Sequence, residues 1–209
     1  MRAIILSAGR GERMRPLTDT LPKPLLEVNG KALIIYTIER LCQAGFSTIV
    51  INIAHLGQQI VEALGDGSKW GVEILYSDER ESGALESAGG IIKALPLLGE
   101  SFLVVNADVW CDYEFDSNFK LGKSLSHLVL VPNPEHNLEG DFDYEGSRYT
   151  FSGIGYYKAE MFKTNELQKL PLAPILRENI ALGKCSFELY KGVWRDIGTP
   201  QRLQELNIY

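Results

Sequence analysis

The chain of 209 residues has 45% hydrophobic and 23% charged residues, which is typical of one globular domain with a full core. Its net charge of −6 disfavours broad binding to nucleic acid or membrane surfaces, because those partners select basic faces. Three cysteines, odd in number and widely spaced, indicate neither a disulfide framework nor a zinc site. No segment resembles a secretion signal or a membrane span, so we expect a cytoplasmic protein.

Strand and helix signals alternate along the first part of the chain. Apolar, β-branched runs predict buried strands, and apolar residues at i, i+4 and i+7 predict helices that end at Gly or Pro. The predicted strands are 2–7, 47–53, 72–76, 102–106 and 127–131, and the predicted helices are 34–42, 58–64 and 87–95. This order predicts an α/β fold, a Rossmann-like three-layer α/β/α arrangement around a mostly parallel mixed sheet.

The alternation weakens beyond residue 131. Residues 132–150 are rich in polar residues, Gly and Pro and are interpreted as a loop or lid. Further strands are predicted at 151–157, 186–190 and 193–196, and helices at 174–182 and 200–206. No repeat or linker interrupts the sequence, so we expect residues 1–209 to form a single domain.

A basic, glycine-rich loop follows the first predicted strand. Gly9 and Gly11 stand where the backbone must turn sharply and bring its N–H groups close to a ligand. Residues 8–25 contain four basic and two acidic side chains, although the chain as a whole is acidic, so we expect a phosphate-rich ligand here. Met14 replaces the third glycine of a dinucleotide-binding fingerprint, and no Walker A Gly-Lys-Ser/Thr is present, which disfavours NAD(P) and P-loop ATPase functions.

The loop continues into the segments Pro-Leu-Thr at 16–18 and Leu-Pro-Lys-Pro-Leu at 21–25. Together with Gly9, Gly11 and Arg13, these segments resemble the signature of the sugar-phosphate nucleotidyltransferases, or NDP-sugar pyrophosphorylases. The resemblance implies a GT-A-like nucleotidyltransferase fold and a reaction in which an NTP and a sugar 1-phosphate give an NDP-sugar and pyrophosphate. The nucleotide-binding residues that it implies are Ala8, Gly9, Gly11, Glu12, Arg13 and Lys23.

The chemistry of this reaction explains the two candidate catalytic cations. Attack on an α-phosphorus needs positive charge on the oxygens where negative charge accumulates. The planar guanidinium of Arg13 suits the β- and γ-phosphates, which leave together as pyrophosphate. By the resemblance, Lys23 lies between the α-phosphate and the sugar phosphate.

Two distant aspartates are the candidate metal ligands. Asp108 follows the buried strand 102–106 and should emerge at the carboxyl edge of the sheet, where open α/β folds bind ligands. Asp196 lies in a segment that resembles the second metal motif of the family, and two carboxylates completed by phosphate oxygens and water suit Mg²⁺. Asp112 is a weaker candidate, which we expect to be solvated.

The resemblance narrows to one branch, the bacterial N-acetylmuramate-1-phosphate uridylyltransferases of cell-wall recycling. The segments that carry it are 11–18, 56–60, 65–68, 93–99, 106–110, 140–142 and 151–154. It implies UTP and N-acetylmuramic acid 1-phosphate as substrates, base contacts in 77–87, and sugar contacts from Asn106, Asp141 and Ser152. For the lactyl carboxylate of that sugar, Arg148 and Arg177 are candidate cations.

Three other functions remain open at this point. Mannose-1-phosphate guanylyltransferases and other hexose-1-phosphate enzymes share the core motifs. A GT-A glycosyltransferase would need Asp-x-Asp where this chain has Asn106-x-Asp108, and a non-catalytic nucleotide-sugar sensor would not need its catalytic residues intact. The histidines are interpreted as structural or solvated, and the expected state is a monomer or a small homo-oligomer.

Overall fold

The computed structural model describes residues 1–163 and 167–207. Its helices are α1 Leu33–Gln43, α2 Gly57–Leu64, α3 Glu86–Ala94, α4 Leu172–Ala181 and α5 Pro200–Leu206. Its strands are β1 Arg2–Leu6, β2 Glu27–Val28, β3 Lys31–Ala32, β4 Thr48–Ile53, β5 Glu73–Asp78, β6 Ser101–Asn106, β7 Val109–Cys111, β8 Ser126–Val131, β9 Phe142–Tyr144, β10 Ser147–Lys158, β11 Cys185–Leu189 and β12 Trp194–Asp196. Among the described residues, no helix has the length and apolar character needed to cross a membrane.

An eight-stranded mixed sheet forms the centre of the molecule. Its order is β11-β8-β10-β6-β1-β4-β5, and β9 pairs with β10. Strands β6, β1, β4 and β5 are parallel, as are β8 and β11, whereas β10 runs antiparallel to both of its neighbours. This arrangement confirms the prediction of a mostly parallel mixed sheet.

Two hydrophobic cores cover the two faces of the sheet. Successive residues of β1 point to opposite faces, so Ala3 and Ile5 contact the core beneath α1 and α2, and Ile4 contacts the core beneath α3 and α4. A third, smaller cluster joins Met14 of the glycine loop to Leu203 of α5. The result is the predicted three-layer α/β/α arrangement, with the glycine loop fastened to the last helix.

The prediction of an irregular lid over residues 132–150 is wrong in its second half. A hairpin of β9 and β10 occupies it, with Tyr144 paired to Ser147 across the two-residue turn Glu145-Gly146. Both turn residues have positive φ, 50° and 81°, which is the backbone of the tightest hairpin turns. Phe142 is buried in this hairpin. The polar composition of the segment had concealed this alternation.

Candidate functional site

The glycine loop has a conformation that requires glycine at one position. Gly11 has φ +63°, and a Cβ there would lie 3.0 Å from Thr18 Cγ2 and 3.2 Å from Lys23 Cβ. The Thr18 hydroxyl donates to the Gly11 carbonyl oxygen at 2.8 Å. The two halves of the sequence motif therefore touch each other, and the loop folds over into the segment that carries Lys23.

A buried chain of hydrogen bonds joins this loop to the neighbouring strands. The Ser7 N–H donates to Asn52 Oδ1 at 2.6 Å, and Asn52 Nδ2 donates to Glu79 Oε1 at 2.8 Å. Glu79 Oε2 accepts the Leu85 N–H at 2.8 Å. Burial raises the pKa of the Glu79 carboxyl, while the Leu85 and Asn52 donors act in the opposite direction. The Glu79 carboxylate thus connects the start of the glycine loop, through Asn52, to the segment 80–85.

A cavity of about 910 Å³ opens between these two segments. All six predicted nucleotide-binding residues line it, together with Asn106, Asp108 and residues 82–84, 86 and 87. The structure therefore brings the glycine loop, the end of β6 and the segment expected to read the base to one place. What each residue does there stays a prediction.

Lys23 and Asp108 form an ion pair within this cavity. Lys23 Nζ lies 2.6 Å from Asp108 Oδ2, and the two side chains are only 14% and 29% exposed. They are 85 residues apart in sequence, so the pair exists because the glycine loop and the end of β6 meet at the same sheet edge. A close cation and carboxylate in a partly closed cavity suit a site for phosphate and metal.

Asp196 reaches the same region through a small two-stranded sheet. β12 pairs with β7 so that Asp196 lies opposite Val109, and the Ile197 N–H donates to the Asp108 carbonyl oxygen at 2.8 Å. The two candidate metal ligands, far apart in sequence, therefore lie on adjoining backbone. Asp112 is exposed to solvent, as expected, and its carboxylate also accepts the Val193 N–H at 2.7 Å and the Tyr190 hydroxyl.

The Asp196 carboxylate is held by two side chains that sequence reasoning missed. Arg202 Nη1 lies 2.5 Å from Oδ2, and His136 Nε2 lies 3.1 Å from Oδ1. His136 is partly solvated, with its side chain 35% exposed, and it also contacts a candidate metal ligand. One signal was available in the sequence, since Arg202 lies in the first turn of its helix, where a cation is disfavoured by the helix dipole.

The donor set fits a hard divalent cation that also binds substrate oxygens. Within the described part of the chain, no group of three or more His, Cys, Asp or Glu side chains is arranged to hold a metal. Asp108 and Asp196 alone would leave most coordination positions to phosphate and water, as Mg²⁺ prefers. Lys23 and Arg202 each hold one oxygen of these carboxylates, so a bound metal would compete with both cations.

A second cavity, of about 820 Å³, lies on the other side of Asp196. The loop after β8 and the segment from β12 to α5 surround it, and its lining residues are Val131, Pro132, Asn133, Pro134, Glu135, His136, Gly192, Trp194, Arg195, Asp196, Arg202, Glu205 and Leu206. Gly198 lines the first cavity, and a Cβ there would lie 3.0 Å from Arg202 Nη1 and 3.5 Å from Arg13 Nη1. Arginines from the two cavities therefore meet at this glycine.

The three predicted sugar contacts have different environments. Asn106 lines the first cavity and packs against Gly153, whose Cβ would lie 2.6 Å from Asn106 Nδ2. Ser152 is only 1% exposed; its hydroxyl donates to Val129 O at 2.7 Å and accepts the Ile154 N–H at 3.1 Å. Ser152 thus stabilises the sheet in this conformation, and its contact with a sugar stays a prediction.

Asp141 is likewise engaged within its own loop. Its carboxylate accepts the Phe151 N–H at 2.8 Å and the Asn137 amide at 3.2 Å. Of the two candidate cations for a carboxylate, Arg148 donates to the carbonyls of Gly140 and Asp141. Arg177 is exposed on α4. Asp141, Arg148 and Arg177 are absent from the linings of both cavities formed by the described residues.

Comparisons with known proteins agree with this geometry. The family model described as nucleotidyl transferase matches residues 2–144. The N-acetylmuramate alpha-1-phosphate uridylyltransferase of Neisseria meningitidis serogroup B is 52% identical, over 98% of this chain and 96% of its own length. The mannose-1-phosphate guanylyltransferase catalytic subunit beta of Danio rerio is 30% identical over 96% of this chain, which spans 62% of that protein.

Solved structures share the fold. A candidate glucose-1-phosphate thymidylyltransferase from Bacillus anthracis has a TM-score of 0.86 at 21% identity, covering 100% of this chain and 94% of that one. The CTP:phosphocholine cytidylyltransferase of Streptococcus pneumoniae has a TM-score of 0.76 at 23% identity, covering 99% and 97%. With the family model matched over more than half of its length and a relative at 52% identity along nearly all of it, the chain belongs to the nucleotidyl transferase family of enzymes.

Proposed function

We propose that the protein transfers a uridylyl group from UTP to N-acetylmuramic acid 1-phosphate, which gives the UDP-sugar and pyrophosphate. The observation that carries this proposal is the 52% identity, along both chains, to a relative named for that substrate. The geometry supports the reaction class independently, because the glycine loop, Lys23 and two carboxylates converge where two phosphate groups would have to meet.

In this proposal the first cavity holds the nucleotide. Gly9 and Gly11 bring backbone N–H groups to the triphosphate, and Arg13 binds the β- and γ-phosphates that leave as pyrophosphate. Ala8 and Glu12 line the same cavity, and residues 82–84, 86 and 87 face the base. The hydrogen bonds through Asn52 and Glu79 support this role, because they fix the distance between the triphosphate side and the base side.

Lys23 and the two aspartates carry the chemistry. Mg²⁺ held by Asp108 and Asp196 would supply positive charge to the phosphate oxygens. Lys23, which is paired with Asp108 in the ligand-free protein, would bind the α-phosphate and the sugar phosphate and hold the attacking and leaving oxygens in line. No general base is needed, because the second pKa of a sugar phosphate, near ~6, leaves the attacking oxygen largely ionised at neutral pH.

The second cavity holds the sugar in this proposal. It begins at Asp196, and Trp194 Nε1, on the same strand, donates to the Ser152 carbonyl at 2.9 Å, which joins β12 to the hairpin that carries Asp141. Asn106, Asp141 and Ser152 stay the proposed sugar contacts, although Asn106 lines the first cavity and the other two line neither cavity in the ligand-free structure. We assign residues 1–209 to a single nucleotidyltransferase domain, which acts in the cytoplasm in the recycling of cell-wall sugars as a monomer or small homo-oligomer.

A substrate matrix tests the proposal. Pyrophosphate release is measured for UTP, GTP, CTP and dTTP, each with N-acetylmuramic acid, N-acetylglucosamine, glucose and mannose 1-phosphates. We expect the highest kcat/KM for UTP with N-acetylmuramic acid 1-phosphate. An equal or higher value for GTP with mannose 1-phosphate would replace the proposal with the guanylyltransferase function, to which the Danio rerio relative points. No pyrophosphate from any pair would favour a sensor.

A further inference from the structure

We infer that Arg202 is the residue that selects a sugar 1-phosphate bearing a carboxylate, and that it does so by exchanging partners. In the ligand-free protein Arg202 is paired with Asp196. When a divalent cation binds Asp196, the guanidinium is released into the second cavity and binds the carboxylate of the sugar. This inference rests on the proposed function and names the group that reads its substrate.

The position of Arg202 supports this exchange. Its Nη1 lies 2.5 Å from Asp196 Oδ2, and the two side chains are 23% and 21% exposed, so the pair is largely shielded from water. Both residues line the second cavity. Breaking the ion pair with Asp196 would therefore leave Arg202 facing that cavity as a free cation.

The charges of the second cavity change when Asp196 binds a metal. Its lining holds Arg195 and Arg202 against Glu135, Asp196 and Glu205, so the arginines do not outnumber the carboxylates in the ligand-free state. Coordination would take the Asp196 carboxylate away from Arg202. A partly buried guanidinium without a partner is unfavourable, and a planar carboxylate matches its two-pronged donor geometry. The cavity then favours an anion.

This exchange explains how the protein could distinguish two sugar 1-phosphates that differ by one substituent. N-acetylmuramic acid 1-phosphate and N-acetylglucosamine 1-phosphate differ only by a lactyl ether, which ends in a carboxylate. The first would give Arg202 a new partner, whereas the second would leave it unpaired. Because binding of the metal and of the carboxylate both require Arg202 to leave Asp196, each should strengthen the other.

The other arginines near the site are less suited to this role. Arg148 is engaged with two carbonyls of its own loop, and Arg177 is on an exposed face of α4. Arg195 lines the second cavity but is exposed, so its charge is screened by water. Arg202 alone among these four arginines is paired with a candidate metal ligand.

The first test measures sugar binding. Calorimetry with Mg²⁺ and without nucleotide compares N-acetylmuramic acid and N-acetylglucosamine 1-phosphates on the wild-type protein, Arg202→Gln, Arg202→Lys and the control Arg177→Gln. We expect the wild type and the control to prefer the carboxylate sugar by on the order of 10²-fold. Arg202→Gln should bind both sugars alike, and Arg202→Lys, which keeps the charge but loses the planar fork, should fall between them.

The second test measures Mn²⁺ affinity, for which the inference predicts an increase on Arg202→Gln that a merely structural role would not produce. Mn²⁺ binding is followed by electron paramagnetic resonance with no sugar and with each sugar phosphate, and sugar-phosphate blanks are subtracted. Arg202→Gln should bind Mn²⁺ more tightly than wild type without sugar, because the competing cation is gone. It should also lose the enhancement by the carboxylate sugar, which in wild type we expect to be ~5-fold or more.

The outcomes separate this inference from the proposed function. If wild type prefers the carboxylate sugar and Arg202→Gln and Arg202→Lys, folded by thermal melting, keep that preference, Arg202 is not the selector and the proposed function stands. If wild type does not distinguish the two sugars, both the inference and the proposed sugar are wrong, while pyrophosphate release would still support the family reaction. Weaker Mn²⁺ binding by Arg202→Gln would overturn the exchange.

Discussion

The two cavities on either side of Asp196 are built in opposite ways. Half of the residues that line the first cavity come from one short stretch, residues 6–14 with Lys23 and Pro24, which is folded back on itself at Gly11. The second is assembled from the loop after β8 and the segment between β12 and α5, which are about sixty residues apart. The first cavity therefore depends for half of its wall on local backbone geometry, whereas the second depends throughout on contacts between distant segments.

This difference suggests how far the residues of each cavity can differ between related enzymes. A phosphate-binding loop needs the same backbone N–H groups and cations for any nucleoside triphosphate, so its sequence is strongly constrained. The sugar side has to differ between enzymes that use different sugars, and ion pairs between loops can change without altering the sheet. Asp196 lines the second cavity, and the backbone that follows it reaches the first, because the Ile197 N–H donates to the Asp108 carbonyl and Gly198 lines the first cavity.

The largest effects are expected from the carboxylates between the cavities. Asp108→Asn and Asp196→Asn should each lower kcat by at least ~10²-fold, because each change removes a charge that brings two phosphate groups together. Rates of pyrophosphate release at saturating Mg²⁺ measure this. Asp143→Asn is the control, since its side chain is 86% exposed in the hairpin. Near-normal turnover of either variant would remove that aspartate from the metal site.

Ser152→Ala tests whether the sugar-side serine is structural. Its buried hydroxyl satisfies the Val129 carbonyl and the Ile154 N–H, so removing it should lower the free energy of unfolding by ~1–3 kcal/mol. Urea denaturation measures the change. A variant that keeps the wild-type midpoint but has a raised KM for the sugar phosphate would instead support the predicted sugar contact.

Gly11→Ala tests the local geometry of the nucleotide side. The position has φ +63° and little room beside Thr18 and Lys23, so a side chain should destabilise the loop by ~1–2 kcal/mol and raise the KM for UTP. Gly99→Ala is a matched stability control, because its Cβ would have a nearest contact at 3.8 Å and we expect a change within ~0.5 kcal/mol. Equal unfolding midpoints for the two variants would contradict this role of Gly11.

The same contrast explains how far the sequence could be interpreted. The sheet and helices follow from apolar periodicity, and α1 and β4 lie within a few residues of their predicted bounds. The six residues assigned to the nucleotide side lie within one short motif, so their position in one cavity could be predicted, while their roles stay a prediction. Arg202 and His136 could not, because their contact with Asp196 depends on how α5 and the loop after β8 pack. Neither has a motif of its own.

The smallest expected effect is a pH dependence of stability on the nucleotide side. Burial raises the pKa of Glu79 above its ordinary value of 4.5. Its contribution to stability is therefore fully present below that value and is lost as the pH rises through the folded-state pKa, with a slope of at most ~1.4 kcal/mol per pH unit. Glu79→Gln removes this dependence. The variant also loses one of the two hydrogen bonds that the carboxylate accepts from Asn52 and Leu85. The resulting loss of unfolding free energy does not vary with pH.

Glu188 provides the matched comparison, because its pKa is lowered by the nearby His127 imidazole, whose Nε2 lies 3.8 Å from Oε1, and by the Tyr113 hydroxyl, which donates to Oε1. Its stabilising contribution is present above the ordinary value of 4.5 and is lost as the pH falls through the lower folded-state pKa. Urea denaturation between pH 3.5 and 6 gives the unfolding free energies of wild type and of each variant. The two differences between wild type and variant should therefore change with pH in opposite directions. The difference between wild type and Glu79→Gln should shrink as the pH rises, and the difference between wild type and Glu188→Gln should grow. Parallel curves for wild type and Glu79→Gln would mean that the Asn52 and Leu85 donors offset burial completely, and that this carboxylate titrates in the folded protein as it does in the unfolded chain.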